Sequence, residues 1–210
     1  MKKAENHVFR LNGISVARFV VNNLWENTYI VFNDCGMGIV IDCGARSETE
    51  RQYISAFFDN HNITPLAHIV THAHFDHLWG AQWLFETYGL EPTIPQRELP
   101  NYNNAEKTAC QTFHRQISLP LPTSPILNDE ISFFSFHTIH TPGHTSGSVC
   151  FYSEQHNTLF SGDTLFKDFP SLPKEPGMTI ETIQKSIKEK LHTLPKGTLV
   201  FPGHGVEFYL

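Results

Sequence analysis

Four side chains able to bind a metal stand within six residues at His72-Ala73-His74-Phe75-Asp76-His77, and no other run constrains the chain as much. The apolar residues before it, 67–70, read as a buried strand. Four donors this close in sequence cannot all bind one ion with good geometry. His72 and His74 can reach one metal, and Asp76 and His77 a second. Imidazole and carboxylate donors suit Zn(II), Fe(II) or Mn(II). A structural zinc site would more typically use cysteine thiolates, and Cys35, Cys43, Cys110 and Cys150 all lie outside the His- and Asp-bearing loops.

The same arrangement recurs along the chain, with an apolar strand ending in a short loop that carries His or Asp. The later examples are His144 in Thr141-Pro142-Gly143-His144-Thr145-Ser146-Gly147-Ser148, Asp163 in Ser161-Gly162-Asp163-Thr164, and His204 in Pro202-Gly203-His204-Gly205. Taken singly, each is an ordinary turn residue, and Asp76 by itself could cap a helix starting near Leu78. Together they describe strand-end loops that can converge at one sheet edge.

The remaining pattern supplies the frame. Strands are expected at 14–21, 28–32, 38–42, 67–70, 131–136, 137–140, 149–152, 158–160 and 198–201, as apolar or β-branched runs bounded by Asn, Asp and Gly. Helices are expected at 48–61, where Tyr53, Ile54, Phe57 and Phe58 share a face, at 78–88, stopped by Gly89, and at 179–193, where Ile180, Ile183, Ile187 and Leu191 recur every three or four residues. Residues 169–177 carry three prolines and read as a loop. Residues 91–129 read as an irregular insertion, with a possible helix at 105–117, of the kind that forms lids and binding loops. Each half has strands, a helix and then a His-bearing strand end, which points to two sheets, each covered by helices, in a single domain over 1–210.

Composition narrows the function classes. A hydrophobic fraction of 40% and a charged fraction of 17% describe a globular chain. With a net charge of −6 and scattered Lys and Arg, the expected partner is a small-molecule substrate rather than nucleic acid. No run approaches the ~18 apolar residues of a membrane span, and residues 1–10 have no apolar stretch typical of a leader. Both observations point to a cytoplasmic protein. The cysteines are expected to be buried or partly buried free thiols.

The four motifs, in this order, resemble the metallo-β-lactamase superfamily, and within it the glyoxalase II-like hydrolases. The resemblance covers nearly the whole chain. It implies an α/β fold, the four-layer αβ/βα sandwich, with two divalent ions (most simply zinc, with iron or manganese as alternatives) at one edge of the sheets. By position it implies that His72, His74 and His144 bind the first metal and that Asp76, His77 and His204 bind the second, with Asp163 bridging. Asp42, in Asp42-Cys43-Gly44, matches an aspartate that supports the ligand loops. His140 matches a structural position. The implied chemistry is hydrolysis by a metal-bound hydroxide, formed because coordination lowers the pKa of water from 15.7 to about 7. Asp76 orients the hydroxide, and Asp163 is the second residue expected to act in catalysis. Expected substrates are small thioesters or esters.

Two departures bear on the substrate. Glyoxalase II has a C-terminal helical extension that binds glutathione, whereas this sequence ends six residues after His204. Related thioester hydrolases and persulfide dioxygenases carry a Gly- and Arg-containing stretch after the bridging aspartate. Here that stretch is Lys167-Asp168-Phe169-Pro170-Ser171-Leu172-Pro173-Lys174, without arginine. The rivals are a mononuclear iron persulfide dioxygenase using His72, His144 and Asp163, a lactonase of the same superfamily, and a silent binding module. The full set of ligand residues weighs against the last.

Overall fold

The computed structural model describes residues 6–114, 116–120, 125–126, 130–131 and 133–210. Residues 1–5 of the N-terminal stretch, and 115, 121–124 and 127–129 of the 91–129 stretch, lie outside these, as does 132 in the expected strand at 131–136.

The first sheet runs in sequence order through β1 (Asn6–Arg10), β2 (Ser15–Val21), β3 (Glu26–Phe32), β4 (Met37–Ile41), β5 (Thr64–Ile69), β6 (Pro92–Pro95) and β7 (Pro125–Ile126). β1 to β4 pair antiparallel, and β4 to β7 pair parallel. The second sheet contains β8 (Glu130–Ile131), β9 (Phe136–His140), β10 (Val149–Ser153), β11 (Thr158–Gly162), β12 (Leu199–Pro202) and β13 (Phe208–Tyr209), with β11 and β12 parallel.

Alternation along the strands makes two apolar faces per sheet. Val16, Tyr29, Val31, Ile39, Ile41 and Ile69 meet Phe136, Val149, Phe151, Phe160, Leu199 and Phe201 between the sheets. Ala17, Phe19, Ile30 and Val40 face outward from the first sheet, against Ile54, Phe57 and Phe58 of α1 (Glu48–Asn60) and Leu84 of α2 (Ala81–Tyr88). Cys150, Tyr152, Leu159 and Val200 face outward from the second sheet. They pack against Ile187 and Leu191 in the π-helical turn that continues α4 (Ile180–Ser186). The result is helix, sheet, sheet, helix: the expected four-layer αβ/βα sandwich.

Local chemistry sets the helix starts. Ser47 and Glu50 form a reciprocal capping box for α1, and the Thr179 hydroxyl caps α4. α2 begins three residues later than its apolar pattern predicts. Residues Phe75–His77 form a separate 3-10 turn, and Gly80 packs so closely on the Cys43 thiol that a Cβ there would lie 2.4 Å from Sγ. Asp76 therefore caps no α-helix and is free to face the site.

The 91–129 stretch contributes β6 and the 15-residue α3 (Leu99–Phe113), which starts six residues before the expected 105–117. A turn at 133–135, with Phe134 and Ser135 at φ of 55° and 52°, separates β8 from β9, where the pattern predicts strand throughout 131–136. The edge strands β1 and β13 carry no strand signal, because exposed edges such as Tyr209, 69% exposed, need no apolar alternation. Two cysteines depart from expected burial. Cys35 lies in the exposed turn after β3 and Cys110 on the outer face of α3, while Cys43 and Cys150 are buried, and all four thiols are free.

Candidate metal centre

All the ligand-type loops follow strands that end on the same side of the sandwich. Parallel pairing of β4 with β5 brings Asp42 beside Thr71 and His72. Parallel pairing of β11 with β12 does the same for Asp163 and His204. The backbone hydrogen bond from Asn27 N–H to the Gly203 carbonyl, 2.8 Å, ties the two sheets together there.

His72, His74, His144 and Asp163 direct one donor atom each into a single space, all within 4.8 Å of one another. His72 Nε2 and His144 Nε2 lie 3.0 and 2.9 Å from His74 Nδ1, and His144 Nε2 lies 3.4 Å from Asp163 Oδ2. Asp76, His77 and His204 form a second such group. His204 Nε2 is 3.4 Å from Asp76 Oδ2 and 3.6 Å from Asp163 Oδ2, while His77 Nε2 is 3.5 Å from Asp163 Oδ1. Asp163 thus faces both groups. The structure brings together all seven residues that the resemblance nominates as ligands.

The donor set fits divalent ions. Donors bonded at about 2.0–2.1 Å to a tetrahedral ion stand roughly 3.3 Å apart, close to the spacing seen here. His77 Nε2 and Asp163 Oδ1 are buried and face each other at 3.5 Å without forming a hydrogen bond of good geometry, which leaves both as donor atoms that a cation would satisfy. Burial, reinforced by the neighbouring imidazoles, drives His72 well below the ordinary imidazole range. Burial and the His144 charge push His74 down to about 3. Neutral imidazole is the form that coordinates. Burial pulls His77 the same way, but Asp163, Asp76 and Asp42 outweigh it and hold His77 above the usual range. Burial would raise Asp163, yet His77 and His204 keep it ionised well below the ordinary carboxylate range.

Three acidic residues around the loops explain their positions. Asp42, in left-handed backbone at φ 54°, accepts from Thr71 N–H and Thr71 Oγ1–H, both at 2.8 Å, and from His77 Nδ1 at 3.0 Å. It orients a donor from the second group while anchoring the strand end that leads to His72. Glu26 is fully buried. Its Oε2 accepts from Gly44 N–H and the Thr28 hydroxyl, its Oε1 lies 3.9 Å from His77 Nδ1, and burial raises its carboxyl well above the usual range.

Glu98, also fully buried, spans two ligand loops. Its Oε2 accepts from Ala73 N–H at 2.8 Å, between His72 and His74. Its Oε1 accepts from Thr145 Oγ1–H at 2.7 Å and Gly147 N–H at 2.9 Å, beside His144. Sequence reading missed Glu26 and Glu98. Glu26 sits two residues before the strand expected at 28, and Glu98 lies in a stretch with weak periodicity. Neither has a local motif, since both act through backbone N–H groups far away in sequence. Glycine matters at 203, where a Cβ would lie 2.3 Å from Asp163 Oδ1 and 2.8 Å from His77 Cε1.

Residues 26–204, the span from Glu26 to the last ligand-type histidine, match the family described as the metallo-beta-lactamase superfamily. The chain belongs to the metallo-beta-lactamase superfamily. Similar superfamily proteins include the probable metallo-hydrolase YqgX of Bacillus subtilis (strain 168), 31% identical over 90% of both chains. The hydroxyacylglutathione hydrolase of Serratia proteamaculans (strain 568) is 32% identical over 92% of this chain and 66% of its own. Among solved structures, the BLEG-1 B3 metallo-beta-lactamase superposes with a TM-score of 0.83 at 28% identity, covering 92% and 93% of the two chains. TTHA1623 in a di-iron-bound form superposes at 0.79 and 34%, covering 90% and 92%. Among the described residues of this superfamily member, no helix is long and apolar enough to cross a membrane.

Proposed function

We propose that the chain is a glyoxalase II-like, metal-dependent hydrolase acting on a small thioester or ester. The observation that carries this reading is Asp163, whose carboxylate faces both His/Asp groups at 3.4–3.6 Å. That is the arrangement needed for one carboxylate to serve two ions. Two ions held there, zinc in the simplest reading, supply a Lewis acid for a carbonyl oxygen and a water-derived nucleophile at neutral pH.

The chain's own residues do the rest. Asp76, lowered by His77 and His204 against the opposing effect of burial, is ionised at neutral pH and can accept a hydrogen bond from the attacking water to aim it. Asp42 fixes the direction of the His77 ring, and Glu98 holds the His72–His74 loop against the His144 loop. No side-chain nucleophile is called for. Burial raises the Cys43 thiol and lifts Cys150 to about 11, so neither is a thiolate at neutral pH.

Metal analysis of protein purified without added metal, alongside turnover of S-lactoylglutathione, simple aryl esters, a lactone and a chromogenic β-lactam, tests the reading. About two ions per chain with thioester or ester hydrolysis is the expected result. One iron per chain, oxygen uptake on a persulfide and no hydrolysis would move the chain to the dioxygenase reading.

A further inference from the structure

Val31, Tyr29 and Asn27 alternate along β3 and so share the face turned toward the second sheet. Val31 and Tyr29 belong to the apolar core between the sheets. Asn27 stands at the start of the strand, beside the Glu26–His204 bridge, and is fully buried as well. A polar side chain in such a place needs partners, and Asn27 finds them on the loop after β12 that carries His204. Its Nδ2 donates to the Pro202 carbonyl at 2.8 Å and to the Gly205 carbonyl at 2.9 Å. Its backbone N–H donates to the Gly203 carbonyl at 2.8 Å. One residue of the first sheet therefore bonds the loop on both sides of His204. The amide oxygen of Asn27 has no hydrogen-bond partner among the described residues, so the side chain acts entirely through its two donors.

The loop needs such a hold. His204 lies between Gly203 and Gly205, and two glycines leave a backbone with more freedom than a ligand position tolerates. Gly205, at φ 83°, turns the chain so that its carbonyl comes back to Asn27. The neighbouring supports each reach one side only: the Tyr29 hydroxyl donates to Pro202 at 2.7 Å, and Arg18 Nη1 donates to Gly205 at 3.3 Å. The ring itself is aimed by Nδ1, which lies 3.0 and 3.2 Å from the Leu24 and Trp25 carbonyls. A carbonyl only accepts, so Nδ1 carries hydrogen and Nε2 is the nitrogen left to coordinate. Asp76 and His77 share one 3-10 turn, whereas His204 alone in the second group comes from the other sheet. That group closes only while the seam between the sheets holds this loop in register.

We propose that Asn27 is the positioning residue for the second ion, and that its hold on both sides of His204 decides whether the chain binds two ions or one. This role rests on the two-ion site of the hydrolase reading and deepens it by naming what controls occupancy. No histidine of the first group lies on the loop that Asn27 bonds, so the effect is confined to one of the two ions.

Titration of cobalt(II) into metal-free protein, followed by the visible spectrum, reads each ion separately and does not depend on turnover. The parent is expected to take up two ions. In Asn27→Ala one ion should bind about 10–100-fold more weakly, the usual scale for a residue behind a ligand, and the other should change by about twofold or less. The weakened ion should be the one that His204→Ala loses, with its absorption bands moved in the same direction. Asn27→Ser keeps one shorter donor, stands in if the alanine chain does not fold, and should weaken the same ion by about three- to tenfold. Unchanged affinities in Asn27→Ala, equal loss of both ions, loss of an ion other than the one His204→Ala removes, or an unfolded Asn27→Ser chain overturns the role. Two ions in the parent without turnover of any ester or thioester overturns the hydrolase reading and leaves the role of Asn27 standing. A parent that takes up one ion overturns the two-ion site and this role with it.

Discussion

Asp42 Oδ2 accepts hydrogen bonds from His77 Nδ1 at 3.0 Å and from the Thr71 hydroxyl at 2.8 Å, so one oxygen couples a donor of the second group to the strand end that carries the first. A carboxylate on the far nitrogen of a metal-binding imidazole sets its tautomer and raises its basicity. Asp42→Asn keeps the shape but replaces one acceptor with an amide donor. We expect metal affinity to fall about 10–100-fold, chiefly at the site containing His77, as measured by chelator competition. Unchanged affinity at both sites would show that the Asp42–His77 bond does not orient the ligand.

Glu98→Gln should loosen the other group. The glutamine keeps one acceptor oxygen and turns an NH2 toward N–H or O–H donors that the carboxylate now satisfies. An unmet buried donor costs about 1–3 kcal/mol. The expected outcome is weaker binding at the site of His72, His74 and His144, with the second site much less affected. Cobalt-substituted protein reads this directly through the visible spectrum of each site.

Asp163→Ala removes the one carboxylate that faces both groups. At least one ion per chain should be lost on elemental analysis, and hydrolysis with it. Full metal content and normal turnover in that variant would refute the dinuclear reading.

A fourth prediction concerns stability away from the site. His68 on β5 is fully buried, and neither ring nitrogen has a partner among the described residues. Burial lowers its pKa to about 3, against about 6.5 for an unfolded chain. The unfolded state therefore takes up a proton that the folded state refuses. This histidine's contribution is intact above about pH 6.5 and declines as pH falls from there toward 3, by at most about 1.4 kcal/mol per pH unit. His68→Leu should raise stability, and the gain over the parent should grow between pH 7 and pH 5 in urea unfolding of metal-free protein. A gain that is the same at both pH values would mean that His68 is protonated in the fold.

Much of this protein could be read from its order of residues. Strand periodicity, the helix faces at Ile54, Phe57 and Phe58, and the helix stop at Gly89 are local features, because a side chain's face follows from its position in a period of 2 or 3.6 and a glycine readily takes the left-handed backbone that ends a helix. The nominated ligands could also be named, since His72, His74, Asp76 and His77 sit together and the others end apolar strands. Their distances could not. Bringing His144, Asp163 and His204 within 4 Å of residues 72–77 requires two parallel strand pairs and the packing of one sheet on the other. Glu26 and Glu98 were hidden for the same reason. A buried carboxylate is stable only where N–H and hydroxyl groups converge on it, and the backbone donors that do so here, Gly44 for Glu26 and Ala73 and Gly147 for Glu98, lie far away in sequence. Chain order alone nominated the seven ligand-type side chains; tertiary structure decided which atoms face each other, because hydrogen-bond satisfaction in a buried site is a property of the assembled loops.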